Sequence, residues 1–218
     1  MNIRLKRTLL SLFFPNRCPV CGEIIGAQER FCVECSDKLS PFEGGFRPEN
    51  TSSFTACYIY DENVIPAIKL LKDGVCGNAD FAFGQALADK LREEGIAGHF
   101  DLLIPVPMTD KDKQRRSFNQ SELLCRIIGS ELNVPVCSDA VKKIRRTAPQ
   151  KELSRELRMI NLKGAFQADP SVINGKIVLV VDDICTTGST ISEVAAALIS
   201  AGAPEVHAAT CCKTMKNK

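Results

Sequence analysis

The chain has 218 residues, a formal net charge of +2 and 25% charged residues. This length accommodates one complete α/β domain and a small additional module. The near-neutral charge excludes a surface that is basic throughout, so any nucleic-acid contact has to be local. Of the eleven cysteines, four are regularly spaced and seven are scattered, mostly among apolar residues. We therefore expect a cytoplasmic globular protein and not a secreted disulfide scaffold.

The N-terminal segment combines basic residues with a short apolar run. Arg4, Lys6 and Arg7 precede the mostly apolar residues 9–14. The segment lacks the small-residue cleavage site of a secretory signal, and the apolar run is too short to span a bilayer. We expect an amphipathic helix that packs on the protein, with contact to a membrane surface as the alternative.

Two Cys-x-x-Cys pairs, Cys18 with Cys21 and Cys32 with Cys35, are separated by ten residues. This spacing can bring four thiolates around one tetrahedral zinc ion, and such a closed site leaves no open position for catalysis. Redox-active pairs are the alternative, although neither pair has the strand-to-helix context of a thioredoxin-like motif. We predict that residues 1–43 form the short N-terminal helix and a structural zinc ribbon, in which metal binding supplies much of the folding free energy.

A second domain is predicted over residues 51–218. Glycine, proline and small polar residues over 44–53 indicate a linker that makes few contacts. Residues 55–60 have the composition of a strand, and residues 64–72 and 79–91 have helical periodicity. Lys69 and Lys72 either face an anion or are solvated, and the sequence favours neither alternative.

Basic residues cluster in two later segments. A buried strand over 102–106 is followed by a loop that contains Arg115 and Arg116, and the spacing of Ser117 and Gln120 predicts a capped helix from there to Gly129. Residues 142–163 hold eight basic residues against two glutamates, a local charge of +6. Such a stretch can contact a nucleic-acid backbone through its phosphates. Because the chain has no tryptophan and few aromatic residues lie nearby, stacking on bases has little support.

The most informative segment runs from residue 177 to residue 193. Residues 177–181 are continuously apolar, as in a parallel strand buried on both faces, and we expect this strand to end at Asp182 and Asp183. Open α/β sheets bind ligands at the carboxyl ends of their strands. A hydroxyl-rich turn follows and leads into a helix, whose first amides and dipole favour a phosphate. The turn consists of Thr186, Thr187, Gly188, Ser189 and Thr190.

The spacing of Thr190 and Glu193 predicts a capping box, so we expect this helix to run from about Thr190 to Gly202. Strands and helices alternate along the chain and end in a strand over 206–210. This alternation predicts an α/β fold with a parallel sheet flanked by helices. His99 and His207 lie in no motif and are predicted to be structural, and Cys185 is predicted to be a packing residue.

The 177–193 segment resembles the ribose-5-phosphate-binding signature of type I phosphoribosyltransferases. The cysteine module, a Val-Pro segment, an Arg-x-Phe-Asn-Gln segment and this signature also follow the order seen in the ComF/GntX competence-associated family. The resemblance implies a type I phosphoribosyltransferase-like sheet, 5-phosphoribosyl-1-pyrophosphate (PRPP) as ligand and Mg²⁺ as its companion. Asp182 and Asp183 then bind the ribose hydroxyls, while the turn holds the 5-phosphate.

The same resemblance assigns further roles. A hood over the acceptor is expected within residues 55–98. Residues 142–163 resemble the flexible lid of the family, which closes over the bound substrate, and within it Arg158 joins the two aspartates as a catalytic residue. The remaining assignments are a pyrophosphate loop with Val106, Pro107, Met108, Arg115 and Arg116, and lid positions Gln150 and Asn161. The family pattern has glycine where this chain has Ser117.

Two functional hypotheses follow. The first is a phosphoribosyltransferase, a glycosyltransferase-class enzyme linked to DNA uptake and natural competence, whose acceptor the sequence does not identify. The second is a single-stranded-DNA-binding competence protein in which the phosphoribosyl site is regulatory or vestigial. In that case the zinc ribbon would dock DNA or a helicase-like competence protein.

Overall fold

The computed structural model describes residues 3–73, 78–108, 118–145 and 162–215. The helices of this part are α1 (Ile3–Ser11), α2 (Val33–Ser36), α3 (Ile65–Asp73), α4 (Ala79–Glu93), α5 (Gln120–Leu132), α6 (Pro170–Ile173) and α7 (Ser189–Ser200). Its strands are β1 (Ser53–Ile59), β2 (Leu102–Pro105), β3 (Val141–Lys143), β4 (Phe166–Ala168), β5 (Val178–Cys185) and β6 (Val206–Lys213).

The main sheet has the strand order β1-β6-β5-β2, and all of its strands are parallel. Residues 178–181 of β5 are fully buried, because successive side chains enter hydrophobic clusters on opposite faces. Leu179 and Val181 share a cluster with residues of α4 and α5, whereas Val178 and Val180 share one with residues of α7. This two-sided burial explains the unbroken apolar run and confirms the predicted α/β architecture.

Strand β5 extends further than predicted. Asp182 pairs with Thr210 and Cys185 pairs with Lys213, so β6 supports β5 as far as Cys185, three residues beyond Asp182. On its other side, β2 ends at Pro105, which pairs with Val181. The acid pair therefore lies past the end of β2 but inside β5, and the predicted strand end at Asp182 is wrong for this reason.

The N-terminal ribbon shares a hydrophobic core with the main sheet. Phe31 makes edge-to-face contacts with Tyr58 and Phe83, with ring centroids 6.0 Å and 5.9 Å apart. The amide of Phe42 donates to the Cys57 carbonyl at 2.9 Å, so the ribbon also covers the outer edge of β1. The division into residues 1–43 and 51–218 stays a prediction about organisation; the two parts pack together here.

The connection between ribbon and sheet lies against the main domain. The Phe46 ring contacts Phe54 edge to face at 5.3 Å, Pro48 is buried, and the Ser52 amide donates to the Val206 carbonyl at 2.7 Å. The expectation of few contacts is therefore wrong. The composition of the segment predicted a linker, but Phe46, which lies among its turn-forming residues, packs on the main domain.

Helix α1 contacts the protein through Arg7, whereas the apolar side chains of its segment are largely exposed, so packing of an apolar face stays a prediction. The Arg7 guanidinium lies 3.6 Å from the Phe81 ring centroid, and its Nε donates to the Ala27 carbonyl at 3.2 Å. The apolar side chains of Phe13 and Phe14 are 80% and 74% exposed. Within the described ranges, no helix is both long and apolar enough to cross a membrane.

Residues 55–98 contribute an edge strand and two helices to this fold. Strand β1 is hydrogen-bonded into the sheet and α4 packs against α5, β1 and β6. Helix α3 is the part of the segment that reaches the carboxyl end of β5, because Lys72 contacts Asp183. The hood assignment for this segment stays a prediction.

Candidate functional site

The acid pair is held rigidly by two neighbouring helices. Asp182 Oδ1 accepts hydrogen bonds from the Asp183 amide at 2.9 Å and from Ser121 Oγ at 3.0 Å. Asp183 Oδ2 lies 3.0 Å from Lys72 Nζ and accepts a longer bond from Gln120 Nε2 at 3.5 Å. Helices α3 and α5 therefore fix both carboxylates in the last half of β5, just past the end of β2.

The electrostatics of this pair favour hydroxyl donors. Burial, together with the adjacent Asp183 charge, raises the pKa of Asp182 to about 7, although the bonds from Asp183 and Ser121 and the charge of Lys72 oppose the rise. Asp183 is only 6% exposed. A desolvated carboxylate gains free energy from each additional hydrogen-bond donor, so a vicinal diol is a suitable ligand for the pair.

Asn119 links the end of β2 to the start of α5. Its Oδ1 accepts from the Ser121 amide and its Nδ2 donates to the Val106 carbonyl, both at 3.0 Å. Asn119 is thus the N-cap, and the predicted capping box of Ser117 with Gln120 is wrong because the helix begins at Gln120 itself. Ser117 lies outside the described residues. The cap places Gln120 and Ser121 beside the acid pair.

The segment assigned to the pyrophosphate loop begins next to the acids. The Val106 amide donates to the Val181 carbonyl at 2.9 Å, and both Val106 and Met108 are buried, with Pro107 between them. This places the first three residues of the assigned loop at the carboxyl edge of the sheet. Arg115 and Arg116 lie outside the described residues, so their role stays a prediction.

Residues 186–190 form a tight turn, called here the anion turn, between β5 and α7. Gly188 is the N-cap with φ of +85°, a conformation that favours glycine. Thr187 Oγ1 and Ser189 Oγ lie 2.8 Å apart, and α7 begins at Ser189. The first amides of a helix lack intrahelical acceptors, so this end of α7 suits a phosphate.

Helix α7 begins one residue earlier than predicted and has a different cap. Glu193 Oε2 accepts from the Gly164 amide at 2.9 Å, which ties the helix to the segment before β4. The predicted capping box with Thr190 is therefore wrong. A small cavity of about 130 Å³ adjoins the anion turn, lined by Phe46, Arg47, Pro48, Glu49, Thr187, Ser189, Ser192 and Glu193.

The four cysteine sulfurs of the ribbon lie within 4.8 Å of one another. Cys21 Sγ and Cys32 Sγ are 3.6 Å apart, close to the ~3.8 Å sulfur separation expected around tetrahedral zinc with Zn–S bonds of about 2.3 Å. Burial opposes ionisation of Cys18, but backbone hydrogen bonds at Cys21, Cys32 and Val20 outweigh it and lower its pKa to about 7. The pKa of Cys35 is instead raised, by burial and by the neighbouring thiols. The geometry of the four sulfurs fits a structural four-thiolate zinc site, which Cys35 completes.

The ends of the basic stretch are joined by the β3–β4 ladder. Lys142 pairs with Gln167, and an Arg145 guanidinium nitrogen donates to the Lys163 carbonyl at 2.7 Å. The intervening residues 146–161 lie outside the described residues. They include Gln150, Arg158 and Asn161, so the lid assignment stays a prediction.

Several residues of the site were not identified from the sequence. Gln120 and Ser121 contact the acid pair, and their position directly after Asn119 at a helix start was the available signal. Lys72, for which the sequence left two alternatives, pairs with Asp183. His207, by contrast, contacts Ser53 at the opposite edge of the sheet, through Nδ1 at 2.8 Å from Oγ, as expected for a structural histidine.

Comparison with known proteins agrees with this arrangement. Residues 81–218 match the phosphoribosyl transferase domain, and residues 9–46 match the double zinc ribbon domain. DNA utilization protein YhgH of Salmonella typhi is 32% identical over 205 residues, which cover 91% of this chain and 84% of that protein. Competence protein F of Haemophilus influenzae is 34% identical over 109 residues, which cover 49% of this chain and 48% of that protein.

Among solved structures, glutamine PRPP amidotransferase of B. subtilis aligns over 61% of this chain and 26% of its own, with 24% identity and a TM-score of 0.42. Purine phosphoribosyltransferase of Pyrococcus horikoshii aligns over 60% of this chain and 71% of its own, with 23% identity and a TM-score of 0.36. The two domain matches and the YhgH relative show that this chain belongs to the phosphoribosyltransferase domain family, within its zinc-ribbon group of competence and DNA-utilization proteins.

Proposed function

We propose that the protein binds PRPP with Mg²⁺ and transfers its phosphoribosyl group to an acceptor whose identity is open. The observation that carries the proposal is the placement of a rigid acid pair and the anion turn on one continuous β5–α7 unit. Asp182 and Asp183 accept hydrogen bonds from the ribose hydroxyls, and the turn donates to the 5-phosphate. One ligand that carries a diol and a phosphate on the same sugar satisfies both.

In the proposed reaction, the acceptor nucleophile forms a bond to carbon 1 of the ribose. The bond from carbon 1 to the pyrophosphate oxygen breaks, its electron pair leaves with pyrophosphate, and the acceptor loses a proton. Positive charge develops on the ribose ring, where the buried negative acid pair stabilises it. Negative charge develops on the pyrophosphate, for which Arg115, Arg116 and Arg158 are the proposed partners.

The residues at the acid pair are compatible with Mg²⁺ that arrives with the ligand. Within the described part of the chain, the four cysteines are the only group of three or more clustered potential metal ligands. Mg²⁺ commonly takes most of its oxygens from substrate phosphates and water. When bound, it would neutralise charge on the departing pyrophosphate.

Pyrophosphate release tests this proposal. Wild-type protein is incubated with PRPP, Mg²⁺ and a panel of nucleobase, amine and nucleoside acceptors, and Asp182→Ala and Asp183→Ala are compared with it. We expect acceptor-dependent release that falls about 100-fold or more in either variant, because the groups act on the transition state. Asp139→Ala, on an exposed residue, serves as the control. Release that persists in both acid variants contradicts the proposal.

A second function is favoured by the local charge of +6 over residues 142–163 and by the relatives, which are DNA utilization and competence proteins. In this proposal the stretch binds single-stranded DNA through phosphate contacts in the cytoplasm, and the ribbon docks a helicase-like competence protein. Binding of fluorescent oligonucleotides should weaken steeply with salt, and Arg145→Glu with Arg146→Glu should weaken binding and reduce the salt slope by about 2. An unchanged slope contradicts direct DNA binding by this stretch.

A further inference from the structure

A buried lysine lies beneath the anion turn. Lys213, the last residue of β6, is only 5% exposed. Its Nζ donates to the Thr186 carbonyl at 2.8 Å and to the Thr214 carbonyl at 2.6 Å. Because a buried ammonium group is costly without hydrogen-bond acceptors, these carbonyls are held towards it. Lys213 thereby fixes the first peptide group of the anion turn.

The orientation of that peptide group has a consequence for ligand binding. In a trans peptide, the carbonyl and the following amide point in opposite directions, and the structure has no cis peptide bond among its described residues. Since the Thr186 carbonyl points to Lys213, the Thr187 amide points away from it. Lys213 thus orients a donor of the turn before any ligand binds.

A ring from the connection to the zinc ribbon completes this support. The Phe46 ring centroid lies 4.3 Å from Lys213 Nζ, within range of a cation–π interaction. A Cβ on Gly188 would lie 3.0 Å from Phe46 Cζ, so the same ring is packed tightly against the turn. Phe46 is also the last residue of the double zinc ribbon match. The connection between the ribbon and the sheet therefore supplies a wall of the anion turn.

We propose that Lys213 and Phe46 are positioning residues for the 5-phosphate of the ligand. Lys213 holds the turn with its amide outward and adds a poorly screened positive charge beneath it, while Phe46 keeps the ammonium and Gly188 in place. This inference rests on the proposed phosphoribosyl site. It further implies that the connection between ribbon and sheet contributes to phosphate binding as well as to stability.

Calorimetric titration of four variants tests the inference, with ribose 5-phosphate, PRPP with Mg²⁺, and pyrophosphate with Mg²⁺ as probes. Lys213→Met should weaken ribose 5-phosphate and PRPP about 10- to 100-fold, as expected for loss of a charged hydrogen bond, and should leave pyrophosphate affinity unchanged. Phe46→Leu should act in the same direction with a smaller effect. Lys213→Arg should retain most of the affinity, and the exposed Lys176→Met is the control.

Hydrogen–deuterium exchange of residues 186–190 in the ligand-free protein gives an independent readout. Faster exchange in Lys213→Met and Phe46→Leu, but not in Lys176→Met, is the expected result. If wild-type protein binds PRPP and these variants bind it equally well, the inference fails while the proposed function stands. If wild-type protein binds neither PRPP nor ribose 5-phosphate, the proposed function fails. If, in addition, residues 186–190 exchange at the same rate in the wild type and in both variants, the positioning role is overturned as well.

Discussion

Replacement of Asp182 by asparagine should stabilise the folded protein at neutral and alkaline pH. Burial and the Asp183 charge raise the pKa of Asp182 from 3.8 to about 7. At ~1.4 kcal/mol per pKa unit, the ionised group costs the fold up to about 4 kcal/mol. Asparagine keeps an Oδ1 acceptor for Ser121 and the Asp183 amide but carries no charge. The negative charge of Asp182, which the proposed function requires, therefore lowers the stability of the folded protein.

The sign of the pH dependence follows from the raised pKa. The folded state binds the proton more tightly than the unfolded state, so the stabilising contribution of Asp182 is complete below about pH 4 and is lost as the pH rises towards 7. The stability advantage of Asp182→Asn should accordingly grow between about pH 4 and pH 7 and then level off. Urea unfolding of variant and wild type at each pH measures this difference, in which the acid sensitivity of the zinc site cancels.

The companion substitution Asp183→Asn is the matched control. It relieves the repulsion within the pair but leaves Lys72 without its anionic partner, so it should stabilise the protein less than Asp182→Asn over the same pH range. An Asp182→Asn variant that is no more stable than wild type at about pH 8, or whose advantage does not change with pH, would refute the electrostatic description of the acid pair.

Three further predictions concern neighbouring parts of the molecule. Gly188→Ala should cost about 1–2 kcal/mol in urea unfolding, because alanine resists a φ of +85° and its Cβ would press on Phe46; no loss would contradict the described turn. Lys72→Met should lower stability at about pH 8 by about 1–2 kcal/mol through the loss of the partner of Asp183, and unfolding that is unchanged would contradict the ion pair. Removal of zinc by a chelator should lower the Tm of the whole protein in one transition, because Phe31 joins ribbon and sheet; a ribbon that melts separately would contradict the shared core.

Patterns with a single physical cause were predictable from the sequence. The continuous apolar run before Asp182 indicated a strand buried on both faces, and the cysteine spacing indicated one four-thiolate cluster; both are confirmed. The order of acid pair, glycine turn and helix is also present as expected. Each of these features is determined by residues that are close together in the sequence, so the local pattern was sufficient to predict it.

Features that depend on tertiary partners were not predictable in the same way. The end of β5 is set by how far β6 extends, and the cap of α5 is set by the reach of Asn119. Phe46 and Lys213 contact the anion turn from segments that are distant in the sequence, so no local pattern predicted these contacts. Lys213 also lies beyond the predicted end of its strand at Thr210, where an apolar pattern gives way to a buried charge.

The central claim is that the acid pair and the anion turn form one working site for PRPP. Calorimetric titration of PRPP with Mg²⁺ into the zinc-loaded protein, beside the double variant Asp182→Ala and Asp183→Ala, tests it most directly. Binding by the wild type and its loss in a double variant that still unfolds cooperatively is the predicted result. Equal binding by both proteins, or no binding by folded wild type, would contradict it.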